Sequence, residues 1–545
     1  MSRIETSTSG EDFASLQVAP GTELLFDELK SHNTTAEHIH GLQHKTSGDS
    51  RILLVPQPSL TDPNDPLRWT TAKKWLVLWN ACWYAFLGSI TGPIMAAGML
   101  PLATQFDTTL QRLTYANGAT LICQGLFNFL WMPFAVKYGR RPVYLASNFL
   151  MMIACIWLGV ASTKTYTIFI VGRAFLGAWE APIESIVPST VTDLFFLHDR
   201  GEKISLYGLA ILGGNELGPM FSAIIIQALG MNWAFFIVAM FIGASFISTF
   251  FFMPETKYTG YRPSIFPSST VQETSAKEAA TSVEATDSNL DPPTTLPKKT
   301  YLQELKPWTT SDPNVNLLKT FVRPFILYTY PTVLWACFVY GLALSYNVIL
   351  GATVAQLFSV APYNFDSQAQ GLTFLSPFVG SLVGTYLCGP CADAIANYYT
   401  KKNNGIREPE MRLPTCAVAA FFTFFGTLWA ALAYDHKTHW AVVVVGYGVL
   451  SIGTQMGATL SMSYALDCHK ELSVELMVSV ASLKSLIAWI WTWEINDFIT
   501  ADGMLTAFMT LATIATVIYL TTFAMYFKGK SVRIWIAKKN FLKFV

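Results

Sequence analysis

The chain has 545 residues, of which 52% are apolar, 14% aromatic and only 13% charged. A soluble domain carries about 25% charged residues, so a water-soluble globule is excluded and the apolar residues, which come in blocks, read as membrane spans. The 36 basic and 36 acidic residues cancel, so net charge gives no reason to expect a nucleic-acid partner.

Residues 1–70 are rich in Ser, Thr, Asp, Glu and His and contain no apolar signal-peptide core. They read as a disordered cytosolic tail. Asn33-Thr-Thr35 fits a glycosylation sequon, expected to stay bare on that side of the membrane. Six apolar blocks follow, at about 76–98, 114–136, 143–161, 167–191, 204–228 and 233–253. Each is long enough to cross ~30 Å of hydrocarbon as a helix. The polar stretch 254–324 reads as a solvated cytosolic linker. Six more blocks lie at about 327–350, 370–392, 413–434, 440–464, 475–499 and 503–527, before a basic tail, 528–545. The expected fold is an all-α membrane protein of 12 transmembrane helices. It forms two six-helix halves, 71–253 and 325–527, with both termini cytosolic.

Lys and Arg set the orientation. Segments on the side of the N-terminus carry Arg68, Lys73 and Lys74; Lys137, Arg140 and Arg141; Arg200 and Lys203; Lys401, Lys402, Arg407 and Arg412; and the basic tail. The opposite loops carry Arg112, Lys164 and Lys437. The eight cysteines fall mostly inside apolar runs and read as small buried hydrophobes. Cys388-Gly-Pro-Cys391 imitates a redox motif but lacks the βαβ context that such a motif needs.

The fourth block holds three ionisable residues, Arg173, Glu180 and Glu184. At ~100° per residue they share one face of a helix. Ionisable groups at bilayer depth are costly and face a protein interior or a water-filled cavity. Glu216 in the fifth block and Lys484, the cation inside the eleventh, complete the set of candidates for proton coupling or substrate contact. The alternative is a set of permanent ion pairs, with Glu216 paired to Lys484. Tyr340, Tyr346, Asn347, Gln455, Trp489 and Trp493 are candidates to line an aromatic pocket with polar handles. For Trp489 and Trp493 the alternative is an interfacial belt. No phosphate-binding Gly-x-x-x-x-Gly-Lys-[Ser/Thr] loop is present, which excludes an ATP-driven pump. No cofactor, metal site or enzymatic activity is expected.

Several motifs resemble those of the major facilitator superfamily, in its twelve-span drug:proton antiporter-like branch of fungal type. Met132-Pro-Phe-Ala-Val-Lys-Tyr-Gly-Arg-Arg141 resembles the family's G-x-x-x-D-[RK]-x-G-[RK]-[RK]. Gly139, Arg140 and Arg141 fit, whereas Val136 stands where the acid usually is. Gly389 and Asp393 keep parts of the same pattern in the second half. Arg173-Ala-Phe-Leu-Gly177 resembles the R-x-x-x-G motif, whose arginine is linked to proton coupling. Gly214-Asn-Glu-Leu-Gly218-Pro219 resembles the antiporter motif G-x-x-x-G-P. The resemblance implies a monomeric carrier in the plasma membrane. It would move a small organic molecule by alternating access, driven by protons, and the fifth-block motif tilts this toward efflux of a drug-like compound or secondary metabolite. Proton-coupled uptake of an organic cation such as a polyamine is the runner-up. A non-transporting sensor is the alternative from another class.

Overall fold

The computed structural model describes residues 21–24, 44–47, 50–54, 56–59, 62–260, 262, 297–308, 312–313, 315–403, 406–469 and 472–539. Asn33 lies outside them. The described chain is helical apart from two small strand pairings. β1 (Glu23–Leu24) pairs antiparallel with β4 (Ile406–Arg407), and β2 (His44–Ser47) with β3 (Ser50–Leu53).

α1 (Thr71–Thr91) starts at Thr70, whose side chain accepts from the Lys73 amide. It stops at Gly92-Pro93, because proline lacks an N–H and crowds the preceding turn. The chain continues as a 3-10 segment, Pro93–Gly98, and a short α2 (Met99–Gln105). α3 (Leu110–Tyr138) and α4 (Arg140–Ala161) are joined by Gly139 alone, at φ 95°, a left-handed conformation open to glycine. The fourth block, expected as one helix, is two: α5 (Tyr166–Glu180) and α6 (Pro182–Leu194), with Pro182 opening the second. α7 (Leu197–Leu229) and α8 (Met231–Phe252) follow.

Beyond residue 300 come α9 (Leu317–Leu327), α10 (Pro331–Phe358), α11 (Ser367–Leu372), α12 (Leu375–Tyr386) and α13 (Ala392–Lys402). A π-helical turn, Leu387–Cys391, links α12 to α13 and holds the Cys-Gly-Pro-Cys sequence, whose two cysteines are free thiols. α14 (Thr415–Asp435), α15 (Trp440–Cys468) and α16 (Ser473–Lys539) complete the chain, α16 turning sharply at Gly503, φ 83°.

Ten helical stretches among the described residues are long and apolar enough to cross a membrane. The molecule is apolar outside and polar within: Trp79, Phe421 and Phe523 are 62%, 62% and 57% exposed, whereas Arg173 and Lys484 are fully buried. That distribution suits a hydrocarbon solvent. Small residues bring the backbones together. A Cβ on Gly380 of α12 would stand 2.0 Å from the Gly448 carbonyl of α15, and one on Gly177 of α5 would stand 2.1 Å from the Thr120 carbonyl of α3. α7 packs on α11 and α12, and α3 on α16, so helices from before residue 253 interlock with helices from after residue 317.

Charged groups gather at the end of the bundle where α1 begins and α16 finishes. Arg140 donates to Asp193 at 2.7 Å, and the backbone amides of Arg140 and Arg141 donate to Glu255. With Val136 in place of an acid, the carboxylates that hold this turn are Asp193 and Glu255. Arg141 holds the carbonyls of Phe250, Met253 and Leu305, closing the end of α8. Asp393 accepts from Arg407 and Arg412, and Arg412 also holds Asp467. The Asp393 carboxylate abuts Gly201 in the first turns of α7, where the helix dipole favours an anion.

Three segments expected to be solvated carry packed structure. Asp65 is fully buried and bonded to Arg262. Glu255, inside the expected linker, caps α4. The helix α16 runs past 527 to Lys539, with Arg533 buried and bonded to Glu410. Asp65 and Glu410 are held by ion pairs and Glu255 by two backbone amides, contacts that sequence polarity does not reveal.

Candidate substrate cavity and the buried charges around it

A cavity with about 750 Å³ of free space, its mouth included, lies among α1, α3, α5–α7 and α10. Its polar wall includes Asn117, Gln124, Glu180, Glu184, Asn215 and Asn347. Gly92 and Pro93, where α1 unwinds, are also in the wall. An interrupted α-helix at membrane depth is tolerated where the freed carbonyls line a cavity or are held by protein, and both conditions are met here. Arg173 Nη1 donates to the Thr91 carbonyl at 2.6 Å, and Nη2 to Gly92 at 2.8 Å and to Asn117 Oδ1 at 2.7 Å. The guanidinium therefore closes the broken end of α1 as a cation at a helix C-terminus.

Glu180, the last residue of α5, accepts from the Thr91 hydroxyl at 2.5 Å. The same hydroxyl stands 2.5 Å from the Gly88 carbonyl. Glu184, in the first turn of α6, is bonded to Lys484 Nζ of α16. Lys484 is fully buried and also sits 4.3 Å from the centroid of the Tyr340 ring. The alternative pairing of Glu216 with Lys484 is not formed. Lys484 pairs with Glu184, and Glu216 accepts from Ser381 and Ser451 instead. Although the hydrogen-bonded helix is interrupted at Ala181, Glu180 and Glu184 still face one cavity, because Ala181 keeps helical φ/ψ of −47° and −43° and no loop intervenes.

Of the expected aromatic pocket, Asn347 stands in the wall. Tyr340 lies behind it against Lys484. Tyr346 is buried elsewhere in the core. Gln455 donates to Thr385 between α15 and α12. Trp489 packs edge-on against Trp493, and Trp493, 46% exposed, stacks on Tyr115. Trp493 is turned to α3 and to lipid, whereas Trp489 packs against the cluster of Leu121, Leu344 and Ala488 and so backs the cavity wall. Gly214 and Gly218 meet the α1 backbone at Phe86 and Ile90, and Gly389 meets Ser205, so these motif residues are close-contact points. Pro219 lies inside the unbroken α7. The wall residues Gly92, Pro93, Asn117, Gln124 and Asn215, and the bridging Thr91, were missed at the level of sequence. The Gly-Pro pair interrupting the first block was the available signal.

The sequence model of the Major Facilitator Superfamily matches residues 78–492. An uncharacterized MFS-type transporter of Schizosaccharomyces pombe is 25% identical over 560 residues, covering 96% of this chain and 94% of that one. The MFS-type transporter penM of Penicillium rubens is 28% identical over 439 residues, covering 79% of this chain and 80% of its own. Among solved structures, the proton:xylose symporter XylE shares the fold, with a TM-score of 0.57 at 11% identity, over 84% of this chain and 97% of that one. Matched over most of its length by that family's model, the chain belongs to the Major Facilitator Superfamily.

Proposed function

We propose that this transporter is a twelve-span monomer of the plasma membrane with both termini cytosolic. Its six-helix halves, 71–253 and 325–527, rock about the cavity to export a small drug-like compound or secondary metabolite in exchange for protons. The observation that carries the reading is the pairing of two carboxylates in one cavity wall with unlike partners. Glu184 is neutralised by Lys484, whereas Glu180 is held by a neutral hydroxyl. Glu180 is therefore the group placed to gain and lose a proton.

Thr91 supports that role. When Glu180 is ionised, the threonine hydroxyl donates to it. When Glu180 is protonated, it can donate to Thr91 Oγ1, and Thr91 turns its own proton to the Gly88 carbonyl at the same 2.5 Å. Both protonation states are hydrogen-bonded without moving a heavy atom. The acid-walled cavity favours cationic or amphipathic substrates, and the Gly214–Pro219 motif favours antiport by resemblance.

Proteoliposomes given a proton gradient and a panel of organic cations test the direction. Substrate moving against the proton flow is expected; accumulation on the side to which protons move would replace export with uptake. Glu180→Gln is expected to abolish proton-driven movement and to spare downhill exchange. A Glu180→Gln protein that still couples to the gradient would assign the proton elsewhere.

A further inference from the structure

Glu216 is a buried carboxyl that this mechanism does not use. It follows Asn215, which stands in the cavity wall, but it points the other way. Its Oε1 accepts from Ser381 Oγ of α12 at 2.8 Å and from Ser451 Oγ of α15 at 3.1 Å. Its Oε2 is buried with no hydrogen-bond partner among the described residues, and the residue is 1% exposed. It is in no ion pair among the described residues. From α12 and α15 the groups that reach it are the two serine hydroxyls. On α1 the titratable side chains are Lys73 and Lys74 in the first turn, bonded to Glu304 and to the Leu67 carbonyl, and Cys82 and Tyr84, the Tyr84 hydroxyl being bonded to Ser147. The other charged groups inside the bundle are engaged elsewhere: Arg173 with α1, Glu180 with Thr91, and Glu184 with Lys484.

An ionised carboxylate in such a place lacks both a counter-ion and water, which makes it costly. A neutral carboxylic acid suits the same place far better. The surroundings are also the seam between early and late helices. Gly380 leaves α12 and α15 in backbone contact, and Gly371 of α11 lies against Pro219 and Ala223 of α7.

We propose that Glu216 is a second proton-binding group, which holds α7 closed against α12 and α15 when protonated and releases that contact when its proton goes to water. The step is an O–H bond made or broken at the Glu216 carboxyl, with water as the other partner. Glu216 thereby gates the rocking of the two sets of helices, separately from the proton that Glu180 carries. The inference rests on alternating access but not on Glu180 being the coupling residue.

The test is a distance. Nitroxide labels at Leu229→Cys on α7 and Gln368→Cys on α11, both positions exposed, report the seam. The background carries Cys123→Ser and Cys391→Ser, the half-buried native cysteines. In the substrate-free protein, the ratio of long to short distances is expected to rise with pH, approaching tenfold per unit, the limit for one proton. Glu216→Gln is expected to stay at the short distance at every pH. Glu216→Asp, which keeps a titratable group, and Glu180→Gln should both retain the response. A Glu216→Gln protein that responds like the parent would overturn the proposal, as would a parent with no pH response. Loss of the response in Glu180→Gln would move the gate to the cavity instead.

Discussion

The Thr91 hydroxyl lies 2.5 Å from Glu180 Oε2 and 2.5 Å from the Gly88 carbonyl oxygen. One rotatable proton thus has two acceptors, one of which changes charge. Replacing Thr91 with Val keeps the shape and removes the donor. A hydrogen bond to a charged group contributes about 1.5–3 kcal/mol. Thr91→Val is expected to slow proton-driven flux by at least about tenfold, with Thr91→Ser near the parent. The measurement is initial flux in proteoliposomes at fixed gradient; equal rates in Val and parent would remove Thr91 from the proton path.

Arg173 serves the backbone of α1 before anything else. Its three bonds satisfy two carbonyls and one amide that would otherwise face the interior unpaired. Each orphaned buried group costs about 1–3 kcal/mol. Arg173→Met is therefore expected to lower the thermal unfolding midpoint in detergent sharply. Arg173→Lys should recover only part of it, because an ammonium cannot span two carbonyls as a planar fork does. A protein with Arg173→Met that melts like the parent, yet loses coupling, would assign Arg173 to the proton instead.

Glu184 and Lys484 come from positions 300 apart and meet between α6 and α16. Breaking a buried pair from one side costs about 3–5 kcal/mol, whereas removing both partners is often near neutral. Lys484→Met alone should destabilise strongly, and Lys484→Met with Glu184→Met should regain most of the loss. The check is a double-mutant cycle of unfolding midpoints. Additive losses would mean that the two side chains are energetically independent.

How far these features are legible in the chain depends on their range. Helix length and the charge asymmetry of the loops are local, so the apolar blocks at 76–98 and 143–161 anticipate α1 and α4 closely. The break at Gly92-Pro93 was written in the sequence as well, but its use was not, since it depends on Arg173 arriving from α5. The Glu184–Lys484 pair could not be told from Glu216–Lys484 by periodicity, because either acid lies on a helix that can face α16. Trp489 and Trp493 are aromatic on a helix near the cavity, yet the rotation of α16 puts Trp489 behind the wall residues Leu121 and Leu344 and sends Trp493 to Tyr115 of α3 and to lipid. Tertiary rotation of this kind leaves no trace in a single sequence.

His469 follows the last residue of α15 and accepts or donates through Nε2 to Thr332 at 2.9 Å. Burial, reinforced by the nearby Arg533, holds its imidazole down at about 4. The unfolded chain binds that proton near pH 6.5. Between pH 6.5 and 4 the unfolded state therefore holds more protons than the folded one, so stability rises with pH there. The contribution of His469 is present above pH 6.5 and is lost as pH falls toward 4. His469→Gln should flatten this part of the stability curve, measured as unfolding midpoint against pH; an unchanged slope would show that His469 is already charged in the fold.

Arg533 lies six residues beyond the point where the apolar sequence ends, yet it is fully buried and grips Glu410 through Nε and Nη2 at 2.9 and 2.7 Å. A third nitrogen reaches Thr22, so one guanidinium ties the final helix to the 8% exposed carboxylate and to the segment that pairs with β4. Ending the chain after Phe527 removes the arginine and leaves that carboxylate buried, a loss of about 3–5 kcal/mol. The shortened protein is expected to melt well below the parent, and Glu410→Gln in the shortened chain should recover part of the difference by removing the stranded charge. A shortened chain with an unchanged midpoint would return these residues to the solvated tail that their composition suggests.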